Sequence, residues 1–172
     1  SLNIPFLVRY PGRVPHRVDD MLLSTPDIMP TLLGLAGLGE RIPASVEGRD
    51  YSALLRQDAV QPRRPRAALY MRNLDGERDA DGMVRGFFAQ ARGVKTSTHT
   101  MELRIGRDGR LERVLLFDDA ADPYQLHNLA PEENPELFAS LCRELAVLLR
   151  DNDDVWFRER VLADVVPYDT SN

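Results

Sequence analysis

The chain has one cysteine, few histidines, no long apolar run and no large excess of either charge. A lone thiol, Cys142, excludes an internal disulfide framework and any zinc site built from cysteines, since most designs of either kind need at least two thiolates. No stretch approaches the roughly 20 apolar residues of a membrane-crossing helix. The opening Ser1-Leu2-Asn3-Ile4-Pro5 has neither the basic start nor the apolar centre of a secretory leader. These absences leave the compartment undetermined. A formal net charge of −5 with 28% charged residues argues against a polyelectrolyte partner, nucleic acid included. Arg63, Arg64 and Arg66 gather beside Pro62 and Pro65, a composition that suits a solvated connector better than an anion-binding patch. His16, His99 and His127 have no His-x-His or His-x-x-x-His spacing, so the sequence offers no metal site from histidine alone.

What is present suits a globule with a real core: 172 residues, 43% of them hydrophobic. Ile4 to Arg9 is a short apolar run stopped by Tyr10-Pro11-Gly12, the pattern of a strand buried on both faces. It starts so early, with no cap or leader, that Ser1 is expected to be a truncation boundary. Ser24-Thr25-Pro26-Asp27 opens a helix that runs to about Gly37, with Ser24 as cap, Pro26 in the first turn and Asp27 at the positive end of the backbone. Its expected apolar stripe is Ile28, Leu32, Leu35 and Ala36. A Pro-, Gly- and Arg-rich stretch follows, with Tyr51, Leu54 and Leu55 docking as a helical turn, and a boundary near Gln61 divides segment 1–61 from segment 62–172.

Beyond that boundary, four strand-like runs are predicted: Ala67 to Arg72, Val84 to Lys95, Thr100 to Ile105 and Leu111 to Asp118, the last two joined by a Gly106-Arg107-Asp108-Gly109 turn. Asn134-Pro135 reads as cap and first residue of a helix reaching about Arg150. Leu137, Phe138, Leu141, Cys142, Leu145, Leu148 and Leu149 recur at helical spacing and should cover one sheet face. Asp153 or Asp154 starts a shorter helix carrying Trp156 and Phe157. The expected class is α+β, with a terminal strand-helix unit followed by a small antiparallel four-stranded sheet packed on a long C-terminal helix.

Three ordered stretches resemble the C-terminal part of the sulfatases, in the alkaline-phosphatase-like superfamily. They are Ile4 to Gly12 with Ser24 to Leu38; Arg92-Gly93-Val94-Lys95-Thr96; and Leu116-Phe117-Asp118 with Asp122-Pro123-Tyr124-Gln125-Leu126-His127-Asn128-Leu129. The resemblance spans most of the chain. It implies that Ile4 to about Gln61 is the last strand-helix unit of an α/β/α catalytic domain. It implies further that the parent protein cleaves sulfate esters with a formylglycine residue and calcium.

The residues for that chemistry are not in this stretch of sequence. Cys142 is followed by Arg143-Glu144-Leu145-Ala146, unlike the Cys-x-Pro/Ala-x-Arg motif from which formylglycine is made. Asp19-Asp20, Asp118-Asp119 and Asp153-Asp154 have the wrong neighbours for the family's calcium motif and suit helix starts and turns. The fragment is therefore expected to be inactive alone, to hold no metal, and to lean on a missing N-terminal catalytic part, with self-association through the truncated surface as one consequence.

Two residues are candidates for touching substrate. His99 lies in a turn between strands that, by the resemblance, approaches the substrate pocket, and Arg92 is placed to form a bidentate pair with a sulfate or with a structural aspartate. Cys142 belongs to the helix stripe and is assigned to the core, Trp156 and Phe157 to a helix docked on the sheet, and His127 to the backbone of its own turn. Two alternatives stand beside the sulfatase reading: a free-standing binding or assembly module, and a piece of a related phosphatase or phosphonate hydrolase.

Overall fold

The computed structural model describes residues 4–72, 90–106 and 108–169. They fall into two compact units, one ending at Ala68 and one starting at Leu69.

In the first unit the main element is helix α1, Thr25–Leu35. Its start is locked by the Asp27 carboxylate, whose Oδ2 accepts from the Ser24 N–H at 3.0 Å. Gly37 follows the helix with φ of +76°, the left-handed stop that glycine supplies without strain. The buried side of α1 differs from the expected stripe. It consists of Asp27, Pro30, Thr31, Gly34 and Leu35, while Leu32 and Ala36 are exposed.

The reason is the segment that crosses this face. Asp27 Oδ1 accepts from Arg49 N at 2.8 Å, and Thr31 Oγ1 accepts from Tyr51 N at 3.0 Å. Buried backbone N–H groups need acceptors, and here the polar residues of the helix provide them. Gly34 is required because a Cβ there would collide with the Asp50 carboxylate. Helix α2, Ser52–Arg56, follows, and it buries Leu54 next to the buried Tyr51. The other side of α1 bears an open apolar recess lined by Thr25, Ile28, Met29, Leu32 and Leu33.

The expected strand from Ile4 to Arg9 does not form: these residues are irregular, and Ile4 and Leu7 are 76% and 92% exposed. A strand exists only through a ladder, and this run has none among the described residues.

The second unit is a four-stranded sheet in the order β1-β2-β3-β4, with β1 Ala67–Arg72, β2 Ala91–Thr96, β3 His99–Ile105 and β4 Leu111–Asp118. The first part of the run expected from Val84 to Lys95, like Arg107 of the hairpin turn, lies outside the described residues. Both β2–β3 and β3–β4 pair antiparallel, with Arg92 opposite Leu103, Val94 opposite Met101, and Met101 opposite Leu116. Alternation therefore places Arg92, Val94, Met101, Leu103 and Leu116 on one face, and Lys95, Thr100 and Glu102 on the other.

Helix α3, Pro135–Asp151, packs against β2 and buries Leu141, Cys142, Leu145, Ala146 and Leu149. Asn134 precedes it as expected, but its side chain caps nothing and donates instead to Ala130 O at 3.0 Å. Asp154 does cap α4, Val155–Arg158, its carboxylate accepting from Trp156 N at 2.8 Å.

Candidate functional site

The polar groups of the second unit gather where β2 turns into β3. Thr96 Oγ1 closes the turn, accepting from His99 N at 2.9 Å and Thr98 N at 3.3 Å. Next to it, Thr98 Oγ1 lies 2.8 Å from His99 Nδ1. His99 is half-buried there, and this contact engages Nδ1 of its ring.

Across the turn, the sequence had concealed a hub. Asp119 Oδ2 accepts from Lys95 Nζ at 2.6 Å and from Thr100 Oγ1 at 2.8 Å, and its Oδ1 accepts from Gln125 Nε2 at 2.7 Å. Burial pushes the Asp119 carboxyl up, but the bonds from Gln125, Lys95 and Thr100 outweigh it and hold the group below its ordinary value, so it is an anion. Lys95 is the only lysine in the chain. The pair could not be read in advance, because the β2–β3 turn and the whole β3–β4 hairpin lie between Lys95 and Asp119 in sequence.

Downstream, the loop is fixed by its own side chains. Asp118 Oδ1 accepts from Ala120 N and Ala121 N, both at 3.0 Å; Asp122 Oδ2 accepts from His127 N at 2.7 Å; Asn128 Oδ1 accepts from Leu116 N at 2.8 Å. Asp118 and Asp122 thus satisfy the turn backbone assigned to His127, whose side chain is 83% exposed.

Arg92 shares a sheet face with His99 by alternation but pairs with Leu103, four residues further along β3, and is 1% exposed. Its Nε donates to Asp154 Oδ2 at 2.9 Å, and its guanidinium carbon sits 5.4 Å from the centre of the Trp156 ring. Trp156 is fully buried, its Nε1 donating to Gln90 Oε1 at 3.2 Å. The structure therefore does not bring His99 and Arg92 together.

The described residues do not fit the calcium and formylglycine that the resemblance implies. No three of their His, Cys, Asp and Glu side chains are grouped to hold a metal ion. Asp19 is bound by Arg17 and Arg64, Asp119 by Lys95, and Asp154 by Arg92. Cys142 is packed in the α3 core, where burial pushes its thiol up to about 12, with Arg143 opposing weakly.

The chain is similar to known proteins along most of its length. The sequence model of the family described as "N-sulphoglucosamine sulphohydrolase, C-terminal" matches residues 1–151. An endo-4-O-sulfatase of Bacteroides thetaiotaomicron is 51% identical over 98% of this chain and 33% of its own length. An ulvan-active sulfatase of Formosa agariphila is 31% identical over 86% of this chain and 27% of its own. A solved structure described under metabolism of multiple glycosaminoglycans by Bacteroides thetaiotaomicron superposes with a TM-score of 0.87 at 51% identity, covering 96% of this chain and 34% of that one. The chain spans about a third of the length of these relatives.

Proposed function

The chain belongs to the N-sulphoglucosamine sulphohydrolase C-terminal family, and on that premise we propose that it is the C-terminal third of a sulfatase whose complete form releases sulfate from a glycan. The observation that carries this is the 51% identity, across 98% of the chain, to a protein named for endo-4-O-sulfatase activity. The substrate we propose is accordingly a sulfated polysaccharide, cut at 4-O-sulfate groups within the chain. The nucleophile and cation are left to the remaining two thirds of the protein, since the described residues do not fit them.

Within this division of labour His99 is the group that faces substrate. Its ring is oriented by Thr98 and leaves Nε2 to donate to a sulfate or hydroxyl oxygen. Arg92, buried against Asp154 and Trp156, acts through packing: it fixes α4 on the sheet. We place the handover from the catalytic domain to the sheet subdomain near Gln61.

The apolar recess on α1 and the exposed Ile4, Leu7 and Val18 support a covering partner, the missing catalytic part of the same polypeptide. In isolation that surface favours self-association, which light scattering reads.

Sulfate release from glycosaminoglycan chains, followed by ion chromatography, tests the proposal on the complete protein and on the 172-residue chain. Release by the complete protein and none by the chain is the expected result. Turnover of p-nitrophenyl sulfate by the repurified chain alone would contradict the division. A complete protein that binds the glycan without releasing sulfate would favour a binding module.

A further inference from the structure

Asp119 touches the β2–β3 turn at three places. Its backbone N–H donates to Thr98 O at 2.8 Å, and its carboxylate accepts from Lys95 Nζ at 2.6 Å and Thr100 Oγ1 at 2.8 Å. These three residues flank His99 on both sides in sequence, so one residue from the end of β4 grips the whole turn. A fourth bond, from Gln125 Nε2 at 2.7 Å, ties the downstream loop to the same carboxylate. Alternation sends Lys95 and Thr100 to one face and His99 to the other. The grip therefore reaches the backbone on either side of His99 from the face opposite its side chain.

We propose that Asp119 is a positioning residue: its grip on Lys95, Thr98 and Thr100 sets where the His99 ring meets substrate. This rests on the reading of His99 as the substrate-facing group.

The chemistry of the grip needs a carboxylate. Both oxygens face donors, Lys95 and Thr100 on one and Gln125 on the other. An amide has one acceptor and one donor end, so in Asp119→Asn either orientation sets a donor against a donor. The bond to Lys95 also loses its charge assistance. Asp119→Asn is nearly isosteric, so the turn should loosen without a change in packing volume. Gln125→Met removes two bonds, to Asp119 Oδ1 and to Thr100 Oγ1, and leaves the Lys95 pair intact.

Two measurements test the proposal. The first follows the imidazole resonances of the 172-residue chain by NMR, with His16 as the internal control. In Asp119→Asn the His99 ring signals should shift or broaden while those of His16 stay put, and Gln125→Met should move them less in the same direction. Unchanged His99 signals in a folded Asp119→Asn chain would overturn the proposal.

The second is a double-mutant cycle on sulfate release by the complete protein. Asp119→Asn should lower kcat/KM about 10- to 100-fold, the loss that a displacement of about 1 Å produces. On a His99→Ala background it should add little. An equal fall on both backgrounds would mean that Asp119 supports the fold and does not act through His99. Sulfate release untouched by His99→Ala sinks the substrate role of His99 itself, whatever the ring signals do.

Discussion

Removing the Asp154 carboxylate should be among the most damaging single changes in the second unit. The Arg92–Asp154 pair is 2.9 Å long with side chains 2% and 6% exposed. Breaking a buried pair by deleting one partner costs about 3–5 kcal/mol, because the desolvated guanidinium loses the carboxylate held at 2.9 Å. Asp154 also accepts from Trp156 N at 2.8 Å, a cap worth about 1 kcal/mol. The two together make Asp154→Ala destabilising by about 4–6 kcal/mol, against total stabilities of about 5–15 kcal/mol for domains of ordinary size.

Asp154→Asn keeps an acceptor for the cap and loses the charge, so it should be milder by roughly the cap's share. Arg92→Met combined with Asp154→Asn removes both charges and should recover most of the loss, since apolar or neutral replacement of a whole buried pair is often close to neutral. Urea unfolding followed by fluorescence measures all three, and the only tryptophan, Trp156, sits against the Arg92 guanidinium. A loss below about 1 kcal/mol for Asp154→Ala, or a double variant no better than the worse single one, would refute the reasoning.

Two further outcomes follow from the same unit. Leu141→Ala on the buried face of α3 should cost about 2–5 kcal/mol by leaving a cavity, and an unchanged denaturation midpoint would show that this face carries no packing. The depressed Asp119 carboxyl sets an acid dependence. Because its folded value lies below the ordinary 3.8, the unfolded chain takes up the proton first as pH falls, so the carboxylate's stabilisation is complete well above that value and vanishes below it. The gap in urea midpoint between wild type and Asp119→Asn should therefore be constant from about pH 7 to 5 and close as pH drops below 3.8. A gap that persists unchanged at about pH 3 would mean that the Lys95 and Gln125 bonds do not stabilise the anion.

Local chemistry made much of this molecule legible in advance. Ser24 and Asp27 start α1, Gly37 stops it, Pro135 opens α3 and Asp154 caps α4, because caps and stops act within one helical turn of the residues that encode them. The stripe on α3 was correct where the helix lies on a sheet, since burial there follows apolar spacing. The family resemblance was legible too, in stretches whose order along the chain is itself information.

Tertiary structure decided what periodicity cannot express. On α1 the polar Asp27 and Thr31 face inward and Leu32 outward, because an incoming segment needed acceptors for its N–H groups and no side-chain pattern announces an acceptor's partner. Ile4 to Arg9 has the composition of a strand, yet pairing is a property of two segments and one alone cannot supply it. Arg92 and Asp154, 62 positions apart, and Lys95 and Asp119, 24 apart, meet only through the strand register and the docking of α4. The sequence by itself therefore determined the helices, the sheet strands after Arg66 and the family, while the fold alone decided whether Ile4 to Arg9 pairs and which charge found which partner, since a Coulomb interaction depends on distance in space and not on separation along the chain.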